Sequence, residues 1–147
     1  MNTPKPLAIV ILYLSFLGIL LSGYLSYHTL FVSTGCSKAL ITCGGNPVKI
    51  LGVPQCVLGF VMFFAVFLIS VHLFTGGQAK RWMTVLIYLG IAGSLFAGGL
   101  STYELWIRHP LPTTMPSCVY GFFLYLGILL TAILGWRESK PTLHPSI

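Results

Sequence analysis

Val53-Pro54-Gln55-Cys56-Val57-Leu58-Gly59-Phe60 returns later in the chain as Met115-Pro116-Ser117-Cys118-Val119-Tyr120-Gly121-Phe122. Each copy opens a long apolar run, sets a cysteine two residues after a proline, and places a glycine three residues beyond the cysteine. A second echo accompanies the first: Ser22-Gly23-Tyr24-Leu25-Ser26-Tyr27-His28 matches Gly98-Gly99-Leu100-Ser101-Thr102-Tyr103-Glu104. The chain therefore reads as two helix–loop–helix units in tandem. Both units start on the same side of a bilayer, so the repeat is parallel, with its pseudo-axis along the membrane normal.

The membrane follows from the runs between charges. Of 147 residues, 56% are hydrophobic and 7% charged, with a mean hydropathy of +0.91; soluble domains carry about 25% charged residues. No Asp, Glu, Lys or Arg occurs from Pro6 to Ser37, Ile50 to Ala79, Trp82 to Tyr103 or His109 to Trp136. About 20 apolar residues suffice to span the hydrocarbon core. The expected fold is an all-α, single-domain bundle over residues 1–147, with spans at about 7–31, 54–74, 83–107 and 116–136 and an external loop at 32–53. The first run is too long for a cleaved signal peptide and lacks a clear small-residue cleavage site.

Lys5, Lys80, Arg81, Arg137 and Lys140 fall on one side, and Lys38, Lys49 and Arg108 on the other. The excess of cations puts both termini in the cytoplasm. The net charge of +6 is then topology and attraction to anionic lipid. A nucleic-acid partner would need a basic patch on a soluble face, and there is none. Small residues at helical spacing, Ser15, Gly18, Ser22 and Ser26 in the first span and Gly90, Gly93, Ser94, Ala97, Gly98 and Ser101 in the third, let helix backbones approach closely.

On this topology all four cysteines share the external face, and the external side of a bacterial membrane or the lumen of an organelle is where disulfides persist. Cys36 and Cys43 lie in the loop; Cys56 and Cys118 lie at helix mouths. With Pro54 and Pro116 as first helical residues, each cysteine takes the third position. Helix N-termini favour anions, and the thiolate is the nucleophilic form of cysteine. One face of the second span carries Cys56, Gly59 and Phe63; one face of the fourth carries Cys118, Gly121, Phe122 and Tyr125. A glycine one turn below a thiol, flanked by aromatics, leaves room for a flat ring. The plainer alternative is inert buried cysteines with glycines serving helix packing. Cys36 and Cys43, seven positions apart in a polar segment, can close a loop. That bridge is either a structural staple or an exchangeable pair. No metal site is expected: the histidines are scattered and the cysteines lack zinc-ligand spacing.

Tyr24-Leu25-Ser26-Tyr27-His28, the loop cysteine pair and Gly52-Val53-Pro54-Gln55-Cys56-Val57-Leu58-Gly59 together resemble the vitamin K epoxide reductase-like family. The resemblance runs from about Gly18 to Trp136. It implies a multi-pass bacterial cytoplasmic membrane protein that exchanges electrons between a quinone, ubiquinone or menaquinone in type, and an external thioredoxin-fold or other thiol protein. It maps the loop pair onto Cys36 and Cys43, and sets Cys56 where the family has a small residue. The family's Cys-x-x-Cys at the mouth of the fourth helix reads Met115-Pro116-Ser117-Cys118 here, so its first cysteine is absent. The expected catalytic residues are Cys56, Cys118, Cys36 and Cys43, with Gly59, Phe63, Gly121, Phe122 and Tyr125 around the quinone. The repeat adds that Cys56 and Cys118 face one another across the bundle as a substitute pair. Two other classes compete with this reading. One is a disulfide-stapled scaffold without catalysis; the other is a transporter using Glu104 and His109.

Overall fold

The computed structural model describes residues 5–31, 49–50, 52–75, 79–107 and 117–138. Four helices dominate: α1 (Lys5–Phe31), α2 (Gln55–Phe74), α3 (Ala79–Ile107) and α4 (Ser117–Glu138). A two-stranded antiparallel ribbon, β1 (Lys49–Ile50) and β2 (Val53–Pro54), leads into α2. All four helices are long and apolar enough to cross a membrane. Helix α3 starts four residues ahead of the expected span because Lys80 and Arg81 end the apolar run without ending the helix. Long cationic side chains at such an end reach back to the interface.

The surface is what lipid requires. Leu95, Tyr88 and Phe123 are among many large apolar side chains that point outward. Buried serines, in contrast, satisfy their hydroxyls within their own helices. Ser22 donates to the Gly18 carbonyl at 2.6 Å, Ser70 to Val66 at 2.8 Å, and Ser101 to Ala97 at 2.7 Å. This local bonding lets these three small polar residues sit between helices with their donors met.

Packing confirms the two-unit organisation. The broadest contacts are α1 with α2 and α3 with α4; α1 also meets α4, and α2 meets α3 least. Each unit is locked by glycines under aromatic rings. A Cβ at Gly18 would fall into the Phe63 ring, and one at Gly93 into the Tyr125 ring. Gly23 faces Phe60 in the first unit, as Gly98 faces Phe122 in the second. Position 18 thus corresponds to 93 and 23 to 98, while 60 corresponds to 122 and 63 to 125.

This register differs by one residue from the sequence match, which set Ser22 against Gly98. That match leaned on Tyr27 and Tyr103, whose side chains face outward and are free of helix packing. The inward glycines fix the true correspondence. At the pseudo-axis the equivalent rings Phe63 and Tyr125 stack on each other, centroids 4.2 Å apart and planes 16° from parallel. They belong to a core with Ile11, Val66, Met83, Leu86 and Ile128. At the far end of the bundle, Gly135 of α4 abuts Met83 of α3 and Leu7 of α1.

The entry to α2 also differs from expectation. Pro54 is the N-cap, with extended backbone (φ −60, ψ 138), because it pairs with Lys49 in the ribbon. Cys56 is therefore the second helical residue, and Cys118 is the second residue of α4; Pro116 lies outside the described residues. The ribbon turns at Gly52, whose φ of 83 is unfavourable for other L-residues. Gly52→Ala meets no steric obstacle but carries a backbone penalty of about 1 kcal/mol. It is expected to lower the melting temperature in detergent slightly and to quicken alkylation of Cys56.

Candidate active site

At the end of the bundle where α2 and α4 begin, the helices part around an apolar cleft. Its enclosed cavity is about 60 Å3, and it opens outward at its mouth. Helix α1 contributes Leu21, Ser22 and Leu25, and α3 contributes Phe96, Ala97 and Leu100. Gln55, Cys56, Gly59 and Phe63 come from α2, and Ser117, Cys118, Gly121 and Tyr125 from α4.

In the register set by the glycines, these fourteen residues form seven equivalent pairs, one member from each repeat. Leu21 answers Phe96, Ser22 answers Ala97, and Leu25 answers Leu100. Gln55 answers Ser117, Cys56 answers Cys118, Gly59 answers Gly121, and Phe63 answers Tyr125. The cleft is the place where the duplication meets itself. On each of α2 and α4 the lining follows i, i+3, i+7, one stripe of a helix.

Vertical order within the cleft is set by those stripes. Gln55 and Ser117, both buried, stand at the mouth with the cysteines. Cys56 is buried against Leu25, and Cys118 is half-buried. Next come the two glycines, and at the floor the stacked Phe63–Tyr125 pair. A Cβ at Gly59 or Gly121 would meet nothing within 4 Å. Unlike Gly18 and Gly93, these glycines are not explained by helix contact; their missing side chains widen the cleft directly below the sulfurs.

Of the residues expected around a ring, Gly59, Phe63, Gly121 and Tyr125 line the cleft. Phe122 does not; it packs on Gly98 and edge-on to Phe123, as its equivalent Phe60 packs on Gly23. Cys36, Cys43, His109, Arg108 and Met115 lie outside the described residues, as does the side chain of Glu104. The sequence does not mark the α1 and α3 walls, apart from the small residues Ser22 and Ala97. Leu21, Leu25, Phe96 and Leu100 look like any lipid-facing residue in the sequence.

The sequence model of the vitamin K epoxide reductase family matches residues 9–111, which takes in most of α1, all of α2 and α3, and both β-strands. No curated protein matches the chain. A four-helix membrane bundle with cysteines at the mouth of an apolar cleft agrees with that match, which covers well over half of the sequence. The chain belongs to the vitamin K epoxide reductase family, a family of membrane thiol–disulfide oxidoreductases that use quinones.

Proposed function

We propose that this protein oxidises dithiols of an external thiol protein and passes the electrons to a membrane quinone, with Cys56 and Cys118 as the redox pair at the cleft. The observation that carries this reading is the cleft itself. Two equivalent cysteines share its mouth, and two equivalent glycines leave open space between them and an aromatic floor. An apolar slot of that shape fits a flat, uncharged ring. Gly59 and Gly121 would admit it, and Phe63 and Tyr125 would support it. A quinone, ubiquinone or menaquinone in type, supplies an acceptor for two electrons and two protons.

The protein's own part is thiol chemistry. Cys56 and Cys118 each give up a proton, and one S–S bond forms between them with release of two electrons. A thiolate of the loop pair then attacks that bond, and a second attack within the mixed disulfide leaves Cys36–Cys43 oxidised and Cys56 and Cys118 reduced. The loop disulfide in turn oxidises the dithiol of the external partner, a thioredoxin-fold or other thiol protein. The loop is suited to this relay, because it leaves α1 after Phe31 and returns at Lys49, five residues before Pro54 at the cleft mouth. In a bacterial cytoplasmic membrane, Lys5, Lys80, Arg81 and Arg137 at the opposite end hold that end in the cytoplasm. The mouth then opens to the oxidising side.

The test is reconstitution in lipid nanodiscs with a short-tailed quinone and a reduced thioredoxin-fold protein. Loss of quinone absorbance is expected in one-to-one proportion with dithiols oxidised. Quinone loss that does not depend on the dithiol, or no loss at all, contradicts the assignment.

A further inference from the structure

The buried serines that bond locally do so to a carbonyl three or four residues back in their own helix: Ser15, Ser22, Ser70 and Ser101. Tyr125 cannot do this, since its hydroxyl sits at the end of a ring and away from its own backbone. The residue is only 2% exposed, yet its hydroxyl meets no hydrogen-bond partner among the described residues. Leaving such a group unmet in an apolar interior is unfavourable. Packing does not call for it. The equivalent position in the first repeat is Phe63, which fills the same role against Gly18 and stacks on the same partner without a hydroxyl. The hydroxyl oxygens of the half-buried Ser26 and Ser94 are also enclosed and unmet, but neither residue lines the cleft; Tyr125 does.

Its place along α4 is informative. Tyr125 lies seven residues after Cys118 on the same stripe, about 10 Å along the axis. Helical side chains lean toward the N-terminus, so the phenol leans back toward the cysteine. Between the two is Gly121, with open space where a side chain would stand. The repeat is thus symmetric in shape and asymmetric in chemistry. One polar group breaks an otherwise apolar floor.

We infer that the Tyr125 hydroxyl donates a hydrogen bond to one carbonyl oxygen of a para-quinone in the cleft and turns the other carbonyl toward Cys56 and Cys118. The inference rests on the quinone reading above. It adds a source of selectivity: the bilayer is full of apolar molecules that fit an apolar slot, and only one with a carbonyl at the floor satisfies the phenol. A hydrocarbon of equal shape leaves it unmet.

Tyr125→Phe keeps the ring and removes the donor. Binding of a short-tailed naphthoquinone and of methylnaphthalene is measured by tryptophan quenching in nanodiscs, alongside infrared difference spectra of the naphthoquinone labelled at its carbonyl carbons. The variant is expected to bind naphthoquinone about tenfold more weakly and methylnaphthalene unchanged. One of two distinct carbonyl bands seen with the wild type should return to its unbonded frequency. Without ligand the variant should be as stable as the wild type or more so. Equal naphthoquinone affinity and identical carbonyl bands in wild type and variant overturn the role of Tyr125. Failure of the wild type to bind naphthoquinone overturns the quinone reading and this inference with it, an outcome recognised without any variant.

Discussion

Cys56→Ser and Cys118→Ser are each expected to abolish quinone-linked dithiol oxidation, a loss of more than about 1,000-fold, equivalent to about 4 kcal/mol of barrier. Serine nearly matches cysteine in size and cannot form the S–S bond, so helicity should survive in both variants. The two losses should be alike, because each removes half of one redox pair, and the double variant should lose no more than either single one. Loop variants separate the roles. Cys36→Ser and Cys43→Ser should lose turnover with the protein partner but keep it with dithiothreitol, a small dithiol able to attack the cleft disulfide directly. Full turnover in Cys56→Ser would remove that residue from the mechanism. It would favour a cysteine at 56 that serves packing alone.

Gly18→Ala and Gly93→Ala are expected to be the most damaging single-methyl additions in the bundle. Each new Cβ would fall within a buried ring, Phe63 in one case and Tyr125 in the other. Because these rings stack on each other at the core, neither can swing aside without displacing its partner. Overpacking of this kind costs about 1–3 kcal/mol. Thermal unfolding in detergent should show both losses. The two substitutions should also couple rather than add, since the second acts on a floor already disturbed by the first. Turnover should fall along with stability, as the same rings close the bottom of the cleft. Gly99→Ala provides the control: a Cβ there meets nothing within 4 Å and should change neither property. Unchanged stability in Gly18→Ala would mean that the glycine–aromatic lock does not hold the repeats.

Much of this architecture is legible in the sequence because charge is so scarce. Four charge-free runs mark four spans, and the repeated Pro-x-Cys marks two equivalent mouths. The stripe Cys56, Gly59, Phe63 is visible from helical spacing alone. Its counterpart in α4 is less clear, because Phe122 and Tyr125 are both aromatic and both close to the glycine. Only the packing of Phe122 on Gly98 tells them apart. The α1 and α3 walls are hidden for a related reason. In water, an inward face is apolar and an outward one polar, so periodicity reveals the core. In lipid both faces are apolar, and Leu25 in the cleft wall reads like Leu20 on the surface. What separates faces is residue size, and the small-residue stripes of α1 and α3 do mark the contacts. Pro54 illustrates another limit. Its preference for the first helical position yields to the ribbon, whose pairing with Lys49 holds it extended and moves Cys56 to the second position of the helix.

The duplication now has a geometric meaning. Its two halves contribute equivalent residues to one cleft, so a pair divided between them can replace a Cys-x-x-Cys within one helix. On the proposed mechanism, the departure of Met115 from the family pattern is no defect. Disulfide mapping of the quinone-oxidised protein tests this most directly: open thiols are alkylated, the chain is digested, and crosslinked peptides are identified by mass spectrometry. The account predicts a peptide joining Cys56 to Cys118, formed with quinone and lost after addition of the reduced partner. A Cys118 found joined only to Cys36 or Cys43, or alkylated in full after quinone treatment, would contradict it.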